Sequence, residues 1–248
     1  MLPYPVYEKV ILSGTDLEHY KYEKPYWVGY PQMRSLRPHF KREKGVLEQE
    51  EILERNVKRS RQKIRRLVNS NQDLVKFMTL TFNTEVVELE VGNKIFNKFI
   101  KRITALSPGF KYLCVPEFQP ESGRVHYHLL CNLPFIENKH LEKIWGQGFV
   151  FIRKIDSVNN LGSYICKYLG KLNFDKRLFH KKKFFYSVNL IKPLILDHIE
   201  DVKLLFSKIP FSVGSFVKKV FTTFFCSDYL GNMEYTNWRL SSDLDVGF

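Results

Sequence analysis

Residues 111–132 constrain this chain more than any other stretch. Lys111–Phe118 (KYLCVPEF) and Arg124–Asn132 (RVHYHLLCN) are two strand-like runs parted only by the turn residues QPESG. Such a pair reads as a β-hairpin. Around it the hydrophobic period alternates between strand and helix. Lys76–Phe82 (KFMTLTF) reads as a buried strand, and Val87–Leu106 carries Leu89, Ile95, Phe96, Phe99, Ile100 and Ile103 at helical spacing. Lys139–Trp145 reads as a short helix and Gly148–Arg153 (GFVFIR) as a strand. Val158–Lys171 reads as a helix after the capping residues Asp156 and Ser157. The order βαββαβα around an antiparallel hairpin predicts an α+β fold, a central antiparallel sheet with helices on one face.

The flanks are less regular. Residues 1–44 are rich in Tyr, Pro and basic side chains and are expected to form an irregular arm with at most one short strand. Residues 46–68 read as a helix through Leu53, Val57, Ile64 and Leu67, acidic in its first half and basic in its second. Residues 191–220 have helical character, and Phe221–Ser227 with Met233–Leu240 form a second candidate hairpin. The expected organisation is 1–70 as basic arm and helix, 71–195 as the central domain, and 196–248 as a C-terminal extension of unassigned role.

The chemistry begins inside the hairpin. His126 and His128 are two apart on one strand, so both imidazoles face the same way. A lone His-x-His is also an ordinary structural outcome. A turn centred near Glu121 and Ser122 sets Gln119 opposite Arg124 and Glu117 opposite His126, on the same face. Two imidazoles and a carboxylate make a mixed N and O ligand set with open positions for water or a phosphate oxygen. A slip of one residue would send Glu117 to the other face, so the set depends on register.

A second constellation lies in GSYICKYLGK. Tyr164, Lys167, Tyr168 and Lys171 fall at i, i+3, i+4 and i+7 and share one helical stripe. Tyrosines at that spacing usually belong to a core, but two lysines on the same stripe argue against a dry interior. Phenols and ammonium groups together suit a phosphodiester. Only about one phenol in a thousand is ionised at neutral pH, so a nucleophilic tyrosine needs a nearby cation. Lys171 or Lys167 can supply that charge.

A net charge of +13 among 248 residues, from 39 Lys and Arg against 26 Asp and Glu, points to an anionic polymer or an anionic membrane surface as partner. Residues 172–186 interleave Lys176, Arg177, His180, Lys181, Lys182 and Lys183 with five aromatics, a composition expected to grip single-stranded DNA together with residues 1–66. No GxxxxGK[ST] loop is present, so no ATP-driven motor is encoded. No apolar run spans a bilayer and no secretion signal opens the chain, so a cytoplasmic protein without membrane contact is expected. The widely spaced Cys114, Cys131, Cys166 and Cys226 are expected to be reduced core thiols.

These motifs, in this order, resemble the rolling-circle replication initiators of the HUH endonuclease superfamily. The likeness is to the replication-associated proteins of small single-stranded DNA phages and related bacterial plasmids. Phe77–Phe82 resembles the first motif, Pro116–Gln119 with Gly123–His128 the metal motif, and Tyr164–Lys171 the nucleophile helix; the likeness covers about residues 55–195. It implies a sheet of about five strands with the His-x-His strand central, in the manner of ferredoxin-like and RRM-like folds. It implies His126, His128 and Glu117 as ligands of Mg²⁺ or Mn²⁺, although such a set also accepts Zn²⁺ or Fe²⁺. Tyr168 fits the family's nucleophile position and Tyr164 the second tyrosine of two-tyrosine members; either is able to attack first. The implied activity is origin nicking and joining through a 5′-phosphotyrosine, in the cytoplasm of a bacterial host. The implied partners are single-stranded or origin DNA and a host helicase and polymerase. The oligomeric state stays open, as do a transposase or mobilisation nickase and a non-catalytic nucleic-acid-binding module.

Overall fold

The computed structural model describes residues 2–29, 46–155, 162, 164–166, 177, 181–211 and 216–244. The chain divides into two compact units, Met1–Glu43 with Lys192–Phe248, and Lys44–Ile191. The boundaries differ from those expected: the basic helix joins the central unit, and the two ends of the chain build one unit together. The fold is α+β, with one five-stranded antiparallel sheet in each unit.

In the central unit the strands are β3 (Lys76–Leu80), β4 (Tyr112–Phe118), β5 (Val125–Cys131), β6 (Val150–Lys154) and β7 (Phe185–Tyr186). Their order is β6-β3-β5-β4-β7, so the His-x-His strand β5 lies in the middle. The helices are α1 (Val46–Asn69), α2 (Leu89–Leu106) and α3 (Asn138–Trp145). On one sheet face Phe96 of α2 stacks on Tyr127 with ring centres 4.6 Å apart. Trp145 of α3 lies 5.4 Å from Phe99, and its Nε1 donates to the carbonyl of Thr81 at 2.7 Å. α3 then stops at Gly146, whose φ of 64° supplies the left-handed cap.

The opposite face is covered too, which corrects the expectation of helices on one side only. Lys63 of α1 stands over the rings of Phe184 and Tyr186 at 5.8 and 5.3 Å. The helical residues Gly162 and Tyr164–Cys166 run beside α1, where a Cβ on Gly162 would come 3.0 Å from the Cα of Arg65. Buried Asn71 locks the end of α1: its Nδ2 donates to the carbonyls of Leu67 and Ile191, each at 2.8 Å, and its Oδ1 accepts from the amide of Ile191 at 2.9 Å. The amphipathic α1 thus buries Val57, Ile64, Leu67 and Val68 and turns its charges outward.

The other unit overturns the expectation of an irregular N-terminal arm. Its strands are β1 (Tyr4–Ser13), β2 (Asp16–Val28), β8 (Leu194–Leu196), β9 (Val217–Ser227) and β10 (Gly231–Leu240), in the order β8-β1-β2-β10-β9. A two-residue turn joins β1 to β2, and Gly14, with φ 57°, meets its need for a positive dihedral. Helix α4 (Ile199–Lys208) places Val202 and Leu205 in a core with Val10, Leu17 and Leu240. The helical reading of 191–220 therefore holds only for α4, since β8 and the start of β9 flank it. The buried carboxylate of Glu18 is satisfied by the hydroxyls of Tyr20 and Tyr235 at 2.8 and 3.3 Å. Of the cysteines, Cys114 and Cys131 are buried, and burial pushes the Cys131 thiol up to about 11. Cys226 is exposed on β9, contrary to expectation, because β9 is an edge strand.

Gly148 joins α3 to β6 where backbones nearly touch. Its φ is +152°, and a Cβ there would meet the Thr81 carbonyl oxygen at 2.6 Å and the Asn83 amide nitrogen at 2.7 Å. Gly148→Ala is expected to destabilise the protein by about 1–3 kcal/mol, from strain and displaced backbone. Urea denaturation checks this; an unchanged midpoint would show that the junction relaxes freely.

Candidate active site

Residues two apart along a strand share a face, so the register of the central sheet assembles the site. Glu117 pairs with His126, and Val115 with His128. Thr79 pairs with His128 on one side and Phe151 on the other. Phe77 pairs with Leu130 and with Arg153. One face thus carries Arg153 and Phe151 on β6, Phe77 and Thr79 on β3, His126 and His128 on β5, and Glu117 on β4. The register on which the ligand set depends is the observed one.

The centre of that face is a buried acid–imidazole pair. Glu117 Oε2 and His128 Nε2 are 2.6 Å apart, and each residue is only 6% exposed. The other ring nitrogen of His128, Nδ1, lies 3.1 Å from the hydroxyl of Thr79. His126 is half-buried, its ring centre 6.4 Å from that of His128. Burial, reinforced by the neighbouring His128, holds the imidazole of His126 below its ordinary pKa, so it stays neutral and able to donate a lone pair. Among the described residues no three His, Cys, Asp or Glu side chains are gathered tightly enough to hold a metal ion. The structure brings together Glu117 and His128, and sets His126 beside them on the same face.

The donor chemistry nevertheless fits a small divalent ion. Two ligand atoms of one such ion stand about 3 Å apart, so the pair would need to open by only a fraction of an ångström. The contact from Thr79 to Nδ1 is of the kind that orients a histidine whose other nitrogen binds a metal. Arg124, two residues before His126, sits on the same face. Its Nη1 donates to the Phe82 carbonyl at 3.4 Å, and its buried Nε has no hydrogen-bond partner among the described residues.

Tyr164 reaches the same face. Its ring meets Phe77 edge-on at 5.2 Å, and Phe77 lies nearly parallel to His128 at 5.9 Å with 12° between planes. Arg153 Nη2 donates to the Tyr164 hydroxyl oxygen at 2.7 Å. Tyr168, Lys167 and Lys171 lie outside the described residues. The cation seen on the described phenol is therefore Arg153, which the spacing of the tyrosine helix did not disclose. Thr79, Arg124 and Arg153 were missed; only Arg124 carried a signal in the sequence, its spacing of two from His126.

Several described residues of 172–186 make contacts within the fold. Phe185 and Tyr186 form the edge strand β7, Lys181 pairs with Glu90, and Arg177 stacks over Phe118 at 3.6 Å.

Comparison with known proteins bears on this face. Residues 75–173, which hold all seven expected site residues, match the family described as replication-associated protein ORF2. The chain is also 23% identical, over 256 aligned positions, to the protein named A protein of Escherichia phage G4. That likeness takes in 90% of this chain and 45% of the phage protein, so the chain spans about half the length of this relative. No solved structure matches. Both likenesses are to proteins of replication-associated or phage type, and the first falls on the residues of this face. No described helix is long and apolar enough to cross a membrane.

Phe77 is the hinge of these ring contacts and is buried. Phe77→Leu keeps most of the apolar volume but removes both ring contacts. A loss of about 1 kcal/mol in urea denaturation is expected; no measurable loss would show that the stacking contributes nothing.

Proposed function

We propose that this protein nicks and rejoins single-stranded DNA with a tyrosine nucleophile, to start rolling-circle replication. What supports this reading is one juxtaposition: Tyr164, Phe77, His128 and Glu117 make a continuous chain of contacts on the sheet face that also carries His126. The match of 75–173 to replication-associated proteins supports it independently.

In the proposed reaction a phenolic oxygen, of Tyr168 or of Tyr164, attacks the scissile phosphorus. An O–P bond to tyrosine forms and the bond from phosphorus to the 3′-oxygen breaks. The phenol loses a proton and the departing oxygen gains one, leaving a 3′-hydroxyl and a 5′-phosphotyrosine. One phosphodiester replaces another, so no external energy source is required. Reversal by a 3′-hydroxyl rejoins the strand, and a second tyrosine allows a second transfer.

Arg153 holds a fixed positive charge against the Tyr164 oxygen. The Arg124 guanidinium, whose charge is felt at His126, would add positive potential for a phosphate there. Lys167 and Lys171 would serve the same purpose near Tyr168. Glu117, His126 and His128 would hold Mg²⁺ or Mn²⁺, which when bound polarises a phosphate oxygen. Thr79, at Nδ1 of His128, leaves Nε2 turned toward Glu117 and would keep it so as a ligand. Host helicase and polymerase would unwind and extend from the nick.

The test is a nicking assay on labelled single-stranded DNA, with denaturing gels to capture the adduct. Tyr164→Phe combined with Tyr168→Phe is expected to abolish the covalent adduct, and mass spectrometry of the wild-type adduct to map it to one of the two. His126→Ala, His128→Ala and Glu117→Gln are each expected to slow nicking about a hundredfold or more. Chelation should stop the reaction and Mn²⁺ restore it. Thr79→Val is expected to weaken Mn²⁺ binding roughly ten- to a hundredfold by calorimetry. Full cutting by the double Phe variant would overturn the mechanism.

A further inference from the structure

The edge strand of the central sheet carries a feature the catalytic reading does not use. Antiparallel edge strands usually turn polar side chains to solvent. Here Phe149 is 60% exposed and Phe151 is 46% exposed. Both sit on the site face: Phe151 pairs with Thr79, which itself pairs with His128. The same register carried one residue further pairs Phe149 with Thr81, and the Thr81 amide does donate to the Phe149 carbonyl at 3.0 Å. Arg153 continues the alternation on the same face and binds the Tyr164 hydroxyl. Two side chains on β6 and a third just before it thus read cation, bare ring, bare ring. The two rings stand two strand spacings from the imidazoles, about 10 Å.

A strand of nucleic acid with a phosphate at the imidazoles would bring neighbouring bases to those rings. Phenyl faces stack on any base, which suits single strands whose bases are unpaired. Arg153, exposed on the same face, supplies charge for the backbone alongside. We propose that Phe149 and Phe151 form a base-stacking platform that holds the bases next to the scissile phosphate of single-stranded DNA. This rests on the nuclease reading for its ligand. Gly148 has a consequence here: its close approach to Thr81 and Asn83 fixes where Phe149 begins.

The experiment is equilibrium binding of the full chain to a fluorescently labelled mixed-sequence 25-nucleotide single strand, followed by anisotropy in EDTA, so that no cutting occurs. Controls are the same strand with abasic sites throughout its centre and the corresponding duplex. Phe149→Ala and Phe151→Ala are each expected to weaken single-strand binding roughly five- to a hundredfold. Phe151→Tyr should bind like wild type and Phe151→Leu like the Ala variant, with the salt dependence unchanged, since no charge is removed. Binding by wild type should fall on the abasic strand, and the Phe variants should show no further fall. Wild-type affinity in both Ala variants, equal binding by Phe151→Leu, or an equal loss on the abasic strand would overturn the platform. Loss of the nicking reading alone would show differently, as stacking-dependent binding without any adduct when Mn²⁺ is added.

Discussion

The pairing of Glu117 with His126 across the β4–β5 hairpin is the constraint on which the rest of the central unit depends. It stacks a carboxylate and two imidazoles on one face and leaves Cys114, Tyr127, Leu129 and Cys131 for the other. A slip of β4 by one residue would thrust Glu117 among apolar side chains such as Phe96 and lift Cys114 out of them. Burying an ionised carboxylate there, while exposing side chains worth about 2 kcal/mol each, would consume most of a domain's stability of about 5–15 kcal/mol. The packing of the face away from the site therefore determines the geometry of the face that holds it. Chemistry and core are two readouts of a single alternation.

This explains which parts were legible in the sequence. The hairpin is local: its turn lies between its strands, and strand parity alone put Glu117 opposite His126. The helices α1, α2 and α3 were likewise visible, because their apolar periods are satisfied within the neighbouring hundred residues. What parity could not show is how strands distant in sequence line up. Thr79 supports His128 only because β3 lies against β5, and Arg153 reaches Tyr164 only because β6 lies against β3. Neither neighbour is implied by spacing along the chain.

The N-terminal strands were missed for the same reason in a stronger form. In β2, Tyr, Lys, Glu and Pro follow one another without a clean apolar stripe. Its stabilising partners are β1 nearby and β10 some two hundred residues later; Tyr20 pairs with Tyr235 and Glu18 with Asn237. A buried Glu18 is intelligible only once the hydroxyls of Tyr20 and Tyr235 are beside it. Read alone, such a segment looks like a basic arm, because the residues that make it a strand belong to the other end of the chain.

That discontinuity has a consequence for how the protein is made. A ribosome delivers β1 and β2 about two hundred residues before β10, the strand that flanks β2 in the finished sheet. The intervening unit, Lys44–Ile191, holds all five strands of its own sheet and is free to fold beforehand. Until synthesis reaches residue 240, the N-terminal hairpin must wait with an open flank, and hairpins of two strands are marginal in water. Closing this sheet is a long-range pairing with a high entropic cost. The nascent chain would hold a finished central unit before β2 and β10 have found each other.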